Sequence, residues 1–345
     1  MKFRSYLFLL AALALIPALT AAASSKSPSD LQTLKIYFEN DLFRETDKYY
    51  TNAVQLTWLS KDLKRYKDDV RLPEWSIPML KASPFSETPG SIHNVGILIG
   101  QHIYTPADIQ ETGLQPDDRP YAGYLFAGVA LHSKTDRVLD TLEVSFGVVG
   151  SEALAEEAQN TVHELRDIPT AKGWQNQLHT EPVIRFSWQR KWRLFRETFF
   201  DTWDLDLISH AGLTLGNVRA SANTGGEIRF GYHIPMDFGS DAIRPGSGAS
   251  APVIHRTAHK KHAFGCHWFF AAQIEGVGHD IFLDGNTFQD SPGVEKEKGV
   301  VDVSTGFSLN FNHYQFTYRH LYRTKQFVNQ KQDHIIGSLT LTLAF

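Results

Sequence analysis

The sequence predicts an all-β protein: a twelve-stranded antiparallel β-barrel that spans a membrane, with one short helix in a connection between strands. Three observations lead there. Segments that alternate apolar with polar residues recur along most of the chain. No internal segment reaches the ~18 apolar residues that a spanning helix needs. The mean hydropathy is −0.27, a low value that strands with one polar face produce even in a membrane protein.

The N-terminus sets the compartment. Lys2 and Arg4 precede an apolar run from Tyr6 to Leu19, which ends in Thr20-Ala21-Ala22-Ala23. A charged start, a short apolar stretch and small residues before a cut read as a secretory signal peptide. Cleavage is expected after Ala23, so residues 1–23 form the signal peptide and 24–345 the barrel. The alternative is an N-terminal anchor helix, for which the run is short. Cys266 is the single cysteine, so the exported chain has no internal disulfide. The formal net charge of −4 carries no basic excess, and nucleic acid is excluded as the main partner.

Candidate strands follow in order at 33–40, 50–60, 93–101, 121–132, 139–149, 180–193, 203–216, 224–233, 263–276, 297–309, 312–324 and 334–345. The last three show why. Ile335, Leu339, Leu341, Leu343 and Phe345 alternate with Ile336, Ser338, Thr340, Thr342 and Ala344. Val301, Val303, Phe307 and Leu309 alternate with Asp302, Ser304, Gly306 and Ser308. Tyr314, Phe316, Tyr318 and Tyr322 alternate with Gln315, Thr317, Arg319 and Arg323. This is the period of a strand with unlike faces. Arg and Asp inward with aromatics outward fit a polar lumen inside a lipid-facing wall. A soluble sandwich would turn the apolar face inward, and alternation does not say which way a face points. The export signal favours the barrel, and a terminal Phe345 resembles the C-terminal signature of bacterial outer-membrane barrels. An even strand number puts both termini on the periplasmic side.

One stretch departs from the pattern. Residues 151–166 are rich in helix formers, with Leu154, Ala158, Val162 and Leu165 at helical spacing. Ser151 is placed as N-cap, with Glu152 in the first turn. Gln159 and His163, four residues apart, project from one side of this helix beside the apolar stripe. That places the histidine where helix meets barrel. A histidine there is either a hydrogen-bonded structural residue or a functional one.

The polar connections give it company. Glu39-Asn40-Asp41-Leu42-Phe43, Thr46-Asp47 and Tyr49-Tyr50-Thr51-Asn52 gather carboxylates, amides and hydroxyls at one hairpin end. Such oxygen-rich groups suit a hard cation such as Ca²⁺, although the spacing is not that of an EF-hand and ordinary turn chemistry also explains it. Tyr104-Thr105-Pro106 and Asp118-Arg119-Pro120-Tyr121-Ala122-Gly123 occupy the third-to-fourth connection. Strand parity sends the first-to-second, third-to-fourth and fifth-to-sixth connections to one rim, the outer one. The same parity sends His255, His259 and His262 to the periplasmic end. Their spacing suits a metal, but the neighbouring Gly/Pro/Ser-rich run from Gly239 to Pro252 reads better as a mobile loop. Residues 61–92, rich in Pro and charge, form a long periplasmic connection far from the proposed site.

On these residues the sequence resembles the outer-membrane lipid A 3′-O-deacylases. The resemblance rests on Glu39-Asn40-Asp41-x-Phe43, Thr46-Asp47-x-x-Tyr50-Thr51-Asn52, Gly100-Gln101-x-x-Tyr104-Thr105-Pro106, Asp118–Gly123, and Gln159-Asn160-x-x-His163 followed by Gly173-Trp174-x-x-Gln177. It implies a twelve-stranded outer-membrane barrel, acting as a monomer on lipopolysaccharide, that hydrolyses the ester-linked 3′-acyloxyacyl group of lipid A with Ca²⁺. It implies His163 as the base that deprotonates water, Gln159 and Asn40 as further catalytic residues, and Arg119 and Tyr121 as substrate contacts. Asp41 and Thr51 would lie at the metal, with Asp167 the nearest acidic residue after the helix histidine. The sequence offers no counterpart to the family's headgroup-contacting lysine. Two other classes stay open: a phospholipase-type esterase with a Ser/His pair on lipid-facing strands, and a non-catalytic porin or structural barrel.

Overall fold

The computed structural model describes residues 31–40, 49–66, 90–240 and 264–345. The expected signal peptide, Asp41, most of the 61–92 connection and His255, His259 and His262 lie outside the described residues. Twelve strands are present: β1 Thr33–Asn40, β2 Tyr49–Leu59, β3 Ile92–Thr105, β4 Ala122–Lys134, β5 Val138–Val149, β6 Glu181–Phe199, β7 Trp203–Gly216, β8 Arg219–Tyr232, β9 Phe264–Asp280, β10 Gly299–Phe311, β11 Tyr314–Arg323 and β12 His334–Ala344. Each pairs antiparallel with the next, and β1 closes on β12 from Thr33↔Ala344 to Asn40↔Gly337. Closure leaves no sheet edge. Among the described residues no helix is long and apolar enough to cross a membrane.

The largest departure from the expected ranges is β6, which continues to Phe199. A register shift between Arg193 and Phe195 accounts for it. Leu194 and Phe195 both lie exposed there, 62% and 44%. Two consecutive outward residues break the period of two, and the pattern stops being readable although the strand runs on. β8 likewise begins at Arg219, before an irregularity between Ala220 and Ser221.

The two faces of the wall differ as alternation requires. On β12, Ser338, Thr340 and Thr342 are buried inside the barrel. On β3, Leu98 and His102 point inward while Ile97 and Ile99 are half-exposed on the outside. Phe146, Phe186, Leu215, Trp268 and Phe270 extend that outer apolar belt.

Several inward charges are matched in place. Arg185 bonds Glu143, Arg219 meets Glu275 at 2.9 Å, and Arg323 meets Asp302 at 2.9 Å. Arg229, buried, lies between Asp206 and Asp237. Asp237 belongs to the chain after β8, and that segment folds up into the lumen. The carbonyls of Phe238 and Ile234 accept from Lys191 at 3.2 Å and Arg196 at 2.7 Å, and the Arg193 guanidinium covers the Phe238 ring at 4.8 Å. Gly239 has φ +87°, and a Cβ there would lie 2.8 Å from a Glu227 carboxylate oxygen. The described start of the Gly/Pro/Ser-rich run is therefore not a free loop: Gly239 packs on Glu227, and Ser240 donates to it. The expectation of mobility is corrected for these two residues, because buried carboxylate and guanidinium groups need the backbone and hydroxyl donors and acceptors they bring. At the other end α2 (Ile281–Asp284) follows β9, its N-cap Asp280 accepting from the Phe282 N–H. It lays Phe282 on Tyr104 with ring centroids 4.0 Å apart.

Asp206→Asn is expected to leave Arg229 and Arg193 short of a carboxylate inside the barrel. Breaking a buried pair from one side costs about 3–5 kcal/mol. A lowered urea midpoint of the purified, detergent-solubilised barrel would register it. An unchanged midpoint would mean that water in the lumen already screens these charges.

Candidate functional site

Register builds the site's floor. Asn40 lies opposite Asn52, Asn52 opposite Ile103, and Ile103 opposite Gly123. These four make one row across β1 to β4, about 5 Å per strand. Alternation points the row away from the lumen, since Tyr37, Ala53, His102 and Tyr124 are its inward neighbours. The row lies at the rim that carries the β1–β2, β3–β4 and β5–β6 connections.

Over the row lies α1 (Ala155–Leu165). It begins later than the sequence suggests. Residues Ser151–Ala153 form a single 3₁₀ turn, and Leu154, with φ 55°, is the N-cap of α1. Ser151 does not cap the helix; its hydroxyl meets that of Thr180 at 3.1 Å. The buried face is also rotated from the expected leucine stripe. Ala155, Gln159 and His163 are buried, at i, i+4 and i+8, whereas Leu154 and Leu165 are 53% and 55% exposed. Close approach explains the rotation. A Cβ on Gly123 would lie 2.6 Å from Ala155 Cβ, so the wall admits the helix only by its smallest residue. Ala155 joins Ile103, Tyr121, Ala171 and Trp174 in a separate apolar cluster on this side of the barrel.

The polar groups of the helix are held by the chain that follows it. His163 Nδ1 lies 2.7 Å from the Pro169 carbonyl. A carbonyl only accepts, so Nδ1 carries the proton, and in the neutral ring Nε2 is the proton acceptor. Trp174 Nε1 donates to Gln159 Oε1 at 2.9 Å. Because an indole nitrogen only donates, this fixes which end of the amide is which. Gln159 Nε2 is buried with no hydrogen-bond partner among the described residues. Asn160 Oδ1 accepts from Ala171 N–H at 3.0 Å and ties the returning chain to the helix.

The remaining candidates separate. Asn40 is buried at the end of the row. Thr51 sits at the irregularity between Tyr50 and Asn52 in β2, and Asp41 lies outside the described residues. Asp167 is exposed just beyond α1, with φ 57°. Tyr121 is 2% exposed, its ring 4.9 Å from Trp174 and its hydroxyl donating to the Ile109 carbonyl at 3.3 Å. Arg119 is 1% exposed, with its guanidinium 4.7 Å from the centre of the inward-facing Tyr104 ring. Burial lowers the pKa of this guanidinium, opposed chiefly by the charge of Asp280. The wall of β3 and β4 thus stands between Arg119 and α1, and neither residue offers an open surface to a substrate. Pro169 was not readable as a partner for His163, since a backbone carbonyl leaves no mark in a sequence. Trp174 was marked only by its motif.

Asn40, Asp41, Thr51 and Asp167 carry hard oxygen donors, the chemistry that a Ca²⁺ ion takes. Among the described residues no three His, Cys, Asp or Glu side chains converge, so the fit rests on donor type.

Trp174→Phe keeps an aromatic ring against Tyr121 and removes the donor to Gln159 Oε1. Leaving that buried acceptor unmet is expected to cost about 1–3 kcal/mol. Urea titration should show a lower midpoint. An unchanged one would mean that the amide finds another donor.

Comparison with known proteins gives the following. A family model described as outer membrane protein LpxR matches residues 7–345. The solved structure of LpxR from Salmonella typhimurium superposes with a TM-score of 0.71 at 18% identity, covering 91% of this chain and all of that one. It shares the fold. The β domain of the Bordetella autotransporter Brka gives a TM-score of 0.41 at 9% identity, covering 91% of this chain and 98% of that one. No curated protein sequence matches. With the family model spanning nearly its whole length, this twelve-stranded barrel belongs to the outer membrane protein LpxR family.

Proposed function

We propose that the protein hydrolyses the ester-linked 3′-acyloxyacyl group of lipid A in the outer leaflet, with His163 as general base. The observation that carries this reading is the contact between His163 Nδ1 and the Pro169 carbonyl. The Nδ1–H is committed to that carbonyl at 2.7 Å, so the neutral ring accepts a proton at Nε2. It does so on a helix packed against the lipid side of the wall. A neutral imidazole is suited to take a proton from water near neutral pH.

The chemistry then runs in two steps. Water oxygen attacks the ester carbonyl carbon while Nε2 takes its proton. As the tetrahedral intermediate collapses, the imidazolium returns that proton to the departing 3′ oxygen, leaving a hydroxyl on the sugar and a free acyloxyacyl acid. Gln159 Nε2, turned away from Trp174 and without a partner among the described residues, can donate to the substrate's ester. Asp41, Thr51 and Asp167 are the residues that would hold Ca²⁺, which when bound supplies positive charge to oppose the developing oxyanion, with Asn40 beside them as a further catalytic group. Arg119 and Tyr121 act here by holding the rim rather than by touching lipid.

A porin reading fares worse. The segment from Ile234 to Ser240 fills the lumen from one end and the Tyr104–Phe282 stack crowds it at the other.

Expression in a Gram-negative host with mass spectrometry of its lipid A tests the reading. The 3′-acyloxyacyl mass should disappear, and His163→Ala should slow its loss by about 10²–10⁴-fold, the usual contribution of a general base. A folded, outer-membrane protein that leaves lipid A unchanged would sink the proposal. Asp41→Ala and chelation of Ca²⁺ should each lower the rate without altering heat-modifiable migration of the barrel. Full activity after both would remove Asp41 and the metal from the mechanism.

A further inference from the structure

Gln101 stands where the lipid-facing side of β3 otherwise presents isoleucine. Ile97 and Ile99 precede it on that face and Ile103 follows. Its Nε2 donates to the Ala153 carbonyl at 2.7 Å, and the Leu154 carbonyl lies 3.3 Å away. These are the last two carbonyls before α1. The Leu154 carbonyl also accepts from Ala158 N–H at 3.2 Å, the first rung of the helix. Leu154 itself is a left-handed, non-glycine N-cap with no side-chain capping bond, a conformation that persists only when its surroundings impose it. On the neighbouring strand Gly123 sets the depth, since a Cβ there would meet Ala155 and Ala153 Cβ atoms at 2.6 and 3.0 Å. The start of α1 thus rests on a stop at β4 and a tether from β3.

The helix turns small errors at its start into large ones at the base. His163 lies eight residues beyond Ala155, about 12 Å along the axis. A tilt of about 5° at the start moves the imidazole by about 1 Å, which is enough to cost on the order of 10²-fold in rate. We infer that Gln101 is a positioning residue for the hydrolysis: by holding the two carbonyls that open α1 it fixes the helix on the wall and sets where Gln159 and His163 stand. This rests on the function proposed above.

Two readouts test it, on the full protein in detergent with lipopolysaccharide as substrate. Gln101→Leu suits a lipid-facing strand and removes the donor. It should keep heat-modifiable migration and a KM within about twofold, while kcat falls by about 10–100-fold. Gln101→Glu keeps the shape but, as a carboxylate, cannot donate, and should behave alike. Spin labels at Glu157→Cys and Lys331→Cys, in a Cys266→Ala background, read the placement of α1 directly. Their distance distribution should shift or broaden in both variants. An unchanged kcat, or a lost kcat with an unchanged distribution, would overturn the inference. If the parent protein proves inactive, the proposed function fails, and the distance measurement alone still decides whether Gln101 holds α1.

Discussion

Hydrocarbon offers no partner to an unpaired N–H or C=O, and everything else in this molecule follows from that. A sheet can cross a bilayer only if its first strand finds its last. Here β1 meets β12 over the full run from Thr33↔Ala344 to Asn40↔Gly337. Closure fixes register all the way round, because a slip of one residue would turn every side chain to the opposite face. The row from Asn40 through Asn52 and Ile103 to Gly123 is one consequence. Four residues scattered over more than eighty positions of sequence become neighbours because the barrel has no freedom to arrange them otherwise.

Closure also creates the lumen and its electrostatic problem. Inward residues of twelve strands are enclosed together, and a polar set suits the interior only if its charges cancel locally. The pairs Arg185–Glu143, Arg219–Glu275 and Arg323–Asp302 do so across neighbouring strands. Arg229 needs more than its neighbours supply. It takes Asp206 from β7 and Asp237 from a segment that re-enters the barrel. That segment brings backbone carbonyls and a phenyl ring with it, so the same interactions that neutralise the interior also fill it. On the proposed function, an enzyme working on lipid loses nothing by this.

The fold was legible because period two survives any one substitution; the site was legible only in part, because its geometry depends on single contacts. Strand boundaries failed where an irregularity put Leu194 and Phe195 on the same side. The helix was visible in composition, and so was the placing of Gln159 and His163 where it meets the barrel, but the apolar residue that makes the contact was not. Leucine spacing pointed to Leu154 and Leu165, whereas contact distance at Gly123 selects Ala155 and, with it, Gln159 and His163. Strand parity brought Asn40, the Asp118–Gly123 run and the helix to one rim. The irregular chain before β4 then divides them: Arg119 and Tyr121 have the same parity, yet Arg119 packs on Tyr104 and Tyr121 on Trp174. Neighbours in sequence say nothing about which side of a wall they reach.

That division decides how a substrate can arrive. A lipid in the outer leaflet moves laterally and meets the outside of a barrel. A base aimed into the lumen would lie behind a sheet whose interior is crowded with paired charge. The side chain of Ile103 and the bare face of Gly123 support α1 on the outside instead, with Leu154 and Leu165 left on its surface. On the proposed reading those exposed leucines are not a packing defect. A helix that hangs over the outer wall needs polar groups turned toward the barrel to hold water and an ester, and its outward side carries Leu165 beside the exposed Glu156, Glu157 and Glu164. On the proposed reading, the contact that seats Ala155 on Gly123 is the arrangement that lets the helix stand between the membrane and a hydrolytic site.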